Sequence, residues 1–347
     1  MTALGRGRPS FLRSDAYVDF LNETHPELEM SRVRLPVPSY RTQIILKDAM
    51  RPGSWLRQIV SALAPVLPSR PRALCIGVPF EPYDQTHLLG RLKDPASFVR
   101  ACREQTLRCG SGLCFFPNVD PSHPGVDALE REGFRIVPSF PDMRIDLDVD
   151  SFEGHLAKIH RDDRSGIRRN IRKFERAGHR LERLRSGEEH AELFRAYRTF
   201  QERALVPWVP HTVEYFRRLP EMHPDVRVHV ARSSAGRLLG FVVNFWESGH
   251  VQSGRIGVVP EYDRRDSVYF RLLYRAVEDA LVAPSARFLS LEPTGYRTKR
   301  HLGARRVPLV NLLLGASRFW RAALTSAPLV RRFLRHLEDP KTLERFY

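Results

Sequence analysis

The residues best suited to chemistry lie in the C-terminal third of the chain. Glu292 stands at the end of a strand-like run just before Gly295, and Tyr296–Gly303 reads YRTKRHLG. A carboxylate in that position can take a proton from an amine or bind an ammonium group. Lys299 and Arg300 can stabilise the oxyanion of a tetrahedral intermediate or bind terminal phosphates, and Tyr296 can donate a hydrogen bond or relay a proton. Together they suit attack by a neutral amine on an activated ester, which needs orientation, oxyanion stabilisation and proton removal. Plainer readings compete. Lys299 and Arg300 also fit the solvated face of a short helix, Tyr296 a core aromatic, and Glu292 a cap or an ion-pair partner.

The second constellation is electrostatic. Ser151–Gly178 reads SFEGHLAKIHRDDRSGIRRNIRKFERAG and is the densest basic stretch of the chain. Phe152, Leu156 and Ile159 form one helical stripe, and Ile167, Ile171 and Phe174 another. Ser151 is a predicted N-cap and Gly178 a predicted stop. Arg161, Arg164, Arg168, Arg169, Arg172 and Lys173 surround the stripes and read as phosphate contacts, with a solvated charged face as the alternative. Arg264, Arg265 and Arg300 are further phosphate candidates. The chain carries a net charge of +16, which attracts nucleic acid, anionic membrane or phosphorylated cofactors. Only six of its 56 basic residues are Lys, so a GC-rich genome offers a competing source of the arginines.

A substrate pocket is expected from Trp208, Trp246, Asn244 and Arg255, the tryptophans stacking on a base or lining an apolar wall. Core packing is the competing role for both tryptophans. The histidines show no metal-ligand spacing, so no metal is predicted. No G-x-S-x-G or kinase-like motif occurs. The four cysteines read as buried free thiols in a reducing compartment.

The elements that must position these residues alternate. Strands are predicted at 41–47, 72–79, 112–117, 134–137 and 143–147, and helices at 55–67, 95–110 and 126–133. This is an α/β lobe over 1–150. From 151 the order is the basic helical pair, helices over 188–205 and 212–219, and strands at 226–232, 236–247 and 249–258. A helix over 267–282, a strand at 287–291, a short helix at 296–302 and a strand at 307–314 follow. Residues 316–347 read as a basic amphipathic tail, a candidate for peripheral membrane contact. The absence of an apolar leader or long apolar run leads to the expectation of a cytoplasmic protein.

The order over residues 186–315 resembles the GNAT acyltransferase core, in which two strands splay apart around the acyl donor. Three pieces are similar to its Fem-like branch: the Ser151–Gly178 pair, Tyr269–Ala280 (YFRLLYRAVEDA), and Tyr296–Gly303. The last is similar to a terminal signature in which a Lys lies near the donor and acceptor groups. The resemblance implies two GNAT-like lobes, each a mixed central sheet flanked by helices, with the catalytic lobe at 151–315. Members that use acetyl-CoA have a Gly-rich loop before the long helix, whose amides bind pyrophosphate. Here Val259–Ser267 contains no Gly and carries Asp263 and Asp266. The resemblance therefore implies aminoacyl-tRNA as co-substrate, no tightly bound cofactor, and an amine, hydroxylamine or peptide acceptor. Acyl-CoA or acyl-carrier-protein dependence, and a non-catalytic nucleic-acid or membrane-surface protein, are the competing readings.

Overall fold

The computed structural model describes residues 11–26, 30–31, 35–43, 72–79, 84–202, 211–293 and 295–325. The strands among them are β1 (Met30–Ser31), β2 (Ser39–Gln43), β3 (Arg72–Ile76), β4 (Leu113–Val119), β5 (Arg135–Pro138), β6 (Asp142–Asp146) and β7 (Arg180–Leu184). Then come β8 (Val226–Arg232), β9 (Leu238–Glu247), β10 (His250–Val258), β11 (Phe288–Ser290), β12 (Arg305–Val307) and β13 (Val310–Gly315). The α-helices are α1 (Asp15–Thr24), α2 (Pro95–Arg108), α3 (Pro124–Arg131), α4 (Phe152–Lys158), α5 (Arg161–Arg176) and α6 (His190–Gln201). They continue with α7 (Val213–Arg218), α8 (Pro260–Asp266), α9 (Val268–Leu281), α10 (Tyr296–His301) and α11 (Arg318–Thr325). None is long and apolar enough to cross a membrane.

Contacts divide the described residues into two units, one of 11–25 with 142–307 and one drawn from 26–141 with 308–325. The chain-order boundaries expected at 150 and 315 differ from this division. β6, which the sequence assigns to the first lobe, pairs with β11 and β12. β13, assigned to the second, lies between β4 and β5. Its Leu312 and Leu314 share a core with Leu74, Phe116 and Phe134. Strand partners are set by which apolar faces meet, and chain order is a weak guide to that.

The larger unit holds a mixed sheet in the order β12-β6-β11-β10-β9-β8-β7. β7 to β10 form an antiparallel meander. α9 then crosses over, and β11 returns parallel to β10. That pairing spans only His250↔Phe288, Val251↔Leu289 and Gln252↔Ser290, although β10 runs on to Val258. The two strands therefore part just beyond Gln252 and Ser290.

β9 is buried along nearly its whole length because both faces of the sheet are covered. Val242 and Leu239 pack under α9 with Leu272 and Ala276. Phe241 and Phe245 point the other way, to Phe216 of α7 and Tyr17 of α1. α6 lies close on that second face. A Cβ on Gly257 would fall 2.7 Å from the Tyr197 backbone nitrogen, so only Gly fits there.

Ser151 caps α4 as expected, its Oγ accepting from the Gly154 amide at 3.1 Å, and Gly178 takes φ 71° after α5. Three elements of the larger unit differ from expectation. β7 (RLERL) is a largely charged edge strand with little alternation. β12 (RRV) is too short for a pattern. Residues 260–266, read as loop, form α8, opened by Pro260 at its first turn. The predicted helix at 55–67, Trp208, and the tail beyond 325 lie outside the described residues.

Three buried histidines give the larger unit an acid-sensitive stability. Burial, reinforced by Arg13, pushes His250 down to about 3, and burial also lowers His211 and His155. The folded chain keeps them neutral while the unfolded chain protonates them near 6.5. Their contribution is complete above that pH and is lost as pH falls toward the folded values. We expect denaturation free energies to drop between pH 7 and 5 by up to about 1.4 kcal/mol per pH unit per histidine. His250→Gln should flatten that slope. Equal stability at pH 7 and 5 contradicts this account.

Candidate active site at the strand divergence

Glu292 follows β11 at the point where β10 and β11 part. It is 7% exposed, and its φ of 63° places it in the left-handed region. A non-Gly residue there costs on the order of 1 kcal/mol and marks a position held for a purpose. Its carboxylate Oε1 accepts from Gln252 Nε2 at 2.6 Å and lies 3.4 Å from Arg255 Nη1. Both partners come from β10, on either side of the irregularity between Ser253 and Arg255. Gly254 sits in that irregularity. A Cβ on it would fall 1.8 Å from Glu292 Oε1, so the carboxylate occupies the space a side chain would need.

Lys299 anchors this seat from below. Its Nζ, on the buried face of α10, donates to the carbonyls of Leu291 (2.6 Å), Glu292 (3.0 Å) and Pro293 (3.1 Å). An ammonium has three protons, and all three are used. Burial lowers Lys299 to about 8 against the opposing pull of Glu292 and Asp142. Lys299 is therefore a positioning residue for Glu292, which departs from the oxyanion or phosphate role expected for it. Tyr296, at the start of α10, is buried with Arg306 5.4 Å from its ring. The Tyr269 hydroxyl of α9 approaches the same turn, 3.7 Å from where a Gly295 Cβ would stand.

A polar chain runs away from Glu292 on the α1–α7 face. Arg255 lies over Phe245 and acts electrostatically on His211. His211 stacks on Tyr215 at 3.9 Å, and its Nδ1 meets His25 Nε2 at 3.4 Å. Thr24 Oγ1 donates to the Phe20 carbonyl, so it accepts from His25 Nδ1. That order gives His25 an Nδ1 proton and requires His211 Nδ1 to donate to His25. Burial and Arg255 hold His211 well below its ordinary pKa, so it is a neutral imidazole.

The start of α9 is filled from within. Asp263 Oδ1 accepts from the Tyr269 amide at 3.2 Å, one of the first-turn amides that have no helical partner. Ser267, in the left-handed region, donates through Oγ to Asn170 Oδ1 at 3.3 Å. Asn170 Nδ2 donates in turn to Tyr274 Oη at 3.1 Å. Asn170 thus ties the basic helix α5 to α9. Arg265 folds onto Asp266 and Tyr262. The side chain of Arg264 lies outside the description.

The other predicted site residues separate into groups. Arg255 joins Glu292. Asn244 and Trp246 do not, because they face α9, the opposite side of the sheet. Both donate to Asp279 Oδ2 at 2.9 Å, and Asn244 also donates to the Ala276 carbonyl. Burial pushes Asp279 up, but His229, Asn244 and Trp246 outweigh it and hold the carboxyl far below the usual range. This pair secures α9 to the sheet and corrects the expectation that it lines the acceptor pocket. Arg161, Arg168, Arg169, Arg172 and Lys173 are exposed along α5, Arg164 is half-buried, and Arg300 is exposed on α10. Arg168 spends part of its charge on Glu153 at 2.7 Å. Among the described residues, no three His, Cys, Asp or Glu side chains cluster as a metal site would require. Gln252, Gly254, Asp263, Asn170 and His211 were not identified from sequence. Only Asp263 had a signal there, as an acid where a phosphate loop would need glycine.

Comparison with known proteins bears on the domain and the fold. Residues 161–292 match the family described as acetyltransferase (GNAT) domain. The whole chain is similar to the crystal structure of FemX, at 9% identity and a TM-score of 0.55, covering 92% of this chain and 96% of that one. It is also similar to a conserved protein of unknown function from Bacteroides thetaiotaomicron VPI-5482, at 9% identity and a TM-score of 0.51, covering 89% and 91%. These likenesses are of fold. No curated protein matches the sequence.

The Lys299 anchor gives a pH signature. A neutral amine has two protons for three carbonyls, so the Glu292 turn should loosen as pH rises through about 8. Global stability should move the other way. Between about 8 and 10.5 the unfolded chain retains a proton that the folded chain has released, so stability rises with pH. We expect turnover to fall above pH 8 with no fall in Tm, and Lys299→Met to abolish that alkaline limb at a lower rate. An unchanged limb in the variant contradicts the assignment.

Proposed function

We propose that this chain, an acyltransferase carrying a GNAT domain over residues 161–292, transfers an aminoacyl group from aminoacyl-tRNA to an amine, hydroxylamine or peptide acceptor. The observation that carries the choice of donor is the state of the α9 N-terminus. A CoA pyrophosphate held in the GNAT manner needs free amides and close backbone approach at a helix start. Here the Asp263 carboxylate takes the Tyr269 amide, and α8 occupies the stretch where a glycine loop would run. A second anion at that point would meet like charge. Exposed arginines on α5 offer phosphate contacts of another kind, through side chains spread along a helix. Such contacts suit a polynucleotide backbone. The Fem-like resemblance supports the same donor.

The chemistry assigned to the site is modest. The acceptor amine attacks the ester carbonyl carbon, forming a C–N bond and a tetrahedral oxyanion. Collapse breaks the C–O bond to the terminal ribose. Glu292 receives the amine proton and returns it to the departing ribose oxygen, so the site ends as it began. Gln252 and Arg255 fix the carboxylate, and Lys299 fixes the turn that carries it. A positioned base of this kind contributes about 10²–10⁴-fold.

The test is a donor screen with mass detection of modified amines. A pool of charged tRNA should give product, ribonuclease should abolish it, and an acyl-CoA panel should give none. Turnover that survives ribonuclease, or that acyl-CoA supports, overturns the proposal.

A further inference from the structure

A cleft of about 430 Å³ opens on the α9 side of the sheet, where the end of α5, the edge strand β7 and α9 meet. Phe174 and Leu181 are its apolar lining, His179 adds an imidazole, and Arg183, Arg271, Arg275, Glu175 and Glu182 are its charged residues. It lies on the face of the sheet away from the Glu292 carboxylate, and none of its residues takes part in the chemistry above.

Three guanidiniums line the cleft against two carboxylates. Glu278 is shared between Arg271 (2.9 Å) and Arg275 (3.3 Å). Asp279 is shared by Arg227 and His229, both at 3.1 Å. Arg275 Nε donates to His229 Nδ1 at 3.3 Å. Arg183 Nη2 donates to the Pro224 carbonyl at 3.4 Å. Burial and the neighbouring Arg227 lower its pKa, the mark of a cation held beside another cation. Glu182, also at the cleft, is held by Arg232.

α5 reaches the cleft through Phe174 and Glu175, and an exposed basic row runs along the same helix. From Arg168 to Arg176 that helix presents Arg168, Arg169, Arg172, Lys173 and Arg176 to solvent, over about 12 Å. A lone phosphate would leave most of the cleft and the whole row unused, whereas a phosphodiester chain engages both. We propose that the Arg183–Arg271–Arg275 cleft is a phosphate subsite of a polynucleotide track that continues along the exposed face of α5. The inference rests on the aminoacyl-tRNA reading and assigns it a docking surface remote from the reacting ester.

Anisotropy of fluorescein-labelled, uncharged tRNA across a salt series tests it. Arg271→Gln with Arg275→Gln should weaken binding about tenfold or more at low salt. The double variant should also lower the log–log salt slope by roughly one to two. Because α9 is a core helix, Glu175→Lys is the companion variant. Glu175 is exposed, and a lysine there should tighten binding several-fold and steepen the slope. If the wild type binds tRNA and both variants match it, the subsite is overturned while the donor reading stands. If the wild type does not bind tRNA, both fall. Retained melting behaviour in the double variant, together with the two opposite shifts, supports the subsite.

Discussion

The larger unit is organised around one crowded contact, the Glu292 carboxylate lying in the space left by the missing side chain of Gly254. Several costs converge on it. A buried carboxylate needs partners, and Gln252 and Arg255 supply them. A left-handed Glu needs a turn that enforces it, and Lys299 does so by binding three successive carbonyls. Buried Lys299 in turn needs compensating negative charge, which Glu292 and Asp142 provide. Removing one member would leave another buried and unsatisfied. This interdependence places a carboxylate at the one parallel junction among the described strands of the sheet, where β10 and β11 diverge.

The same logic of internal compensation separates reaction from recognition. At the α9 N-terminus, Asp263 already accepts from the Tyr269 amide, which is therefore engaged within the chain. Positive charge is placed instead on the outer face of α5 and around the cleft beneath it. Asn170 joins α5 to α9 through Ser267 and Tyr274, which gives the basic helix a fixed footing on the element that crosses over to β11. Asp279, buried under Asn244 and Trp246, fixes the other end of α9 to β9.

Much of this arrangement was legible in the sequence, and the reason differs by element. α5 and α9 announce themselves by apolar stripes at helical spacing, and β9 by an apolar run interrupted by Asn244. Glu292 and the Tyr296–Gly303 helix were legible as chemistry because charged groups stood beside a strand end and a glycine. Partnership was not legible. Lys299 looks like a solvent-facing cation in the string YRTKRHLG, and only the fold turns it inward onto carbonyls. Asn244 and Trp246 sit one strand position from the face that matters, and the two-residue period of a strand sends them to Asp279. β6 and β13 exchange lobes because pairing follows apolar faces. Gly254 carries no local signal at all, since its meaning is the carboxylate of a residue 38 positions away.

Gly254→Ala therefore tests the central claim most directly. Gly254 lies outside the left-handed region, so alanine imposes no backbone penalty there, and its Cβ would collide with Glu292 Oε1. The measurement is the rate of hydroxamate formation from charged tRNA and hydroxylamine, above the uncatalysed background. It should be made alongside tRNA affinity and Tm. We expect the rate to fall about 10²-fold or more with tRNA affinity unchanged and Tm lowered by the cost of overpacking, about 1–3 kcal/mol. A variant that turns over at the wild-type rate would show that the Glu292 carboxylate is not the reacting base.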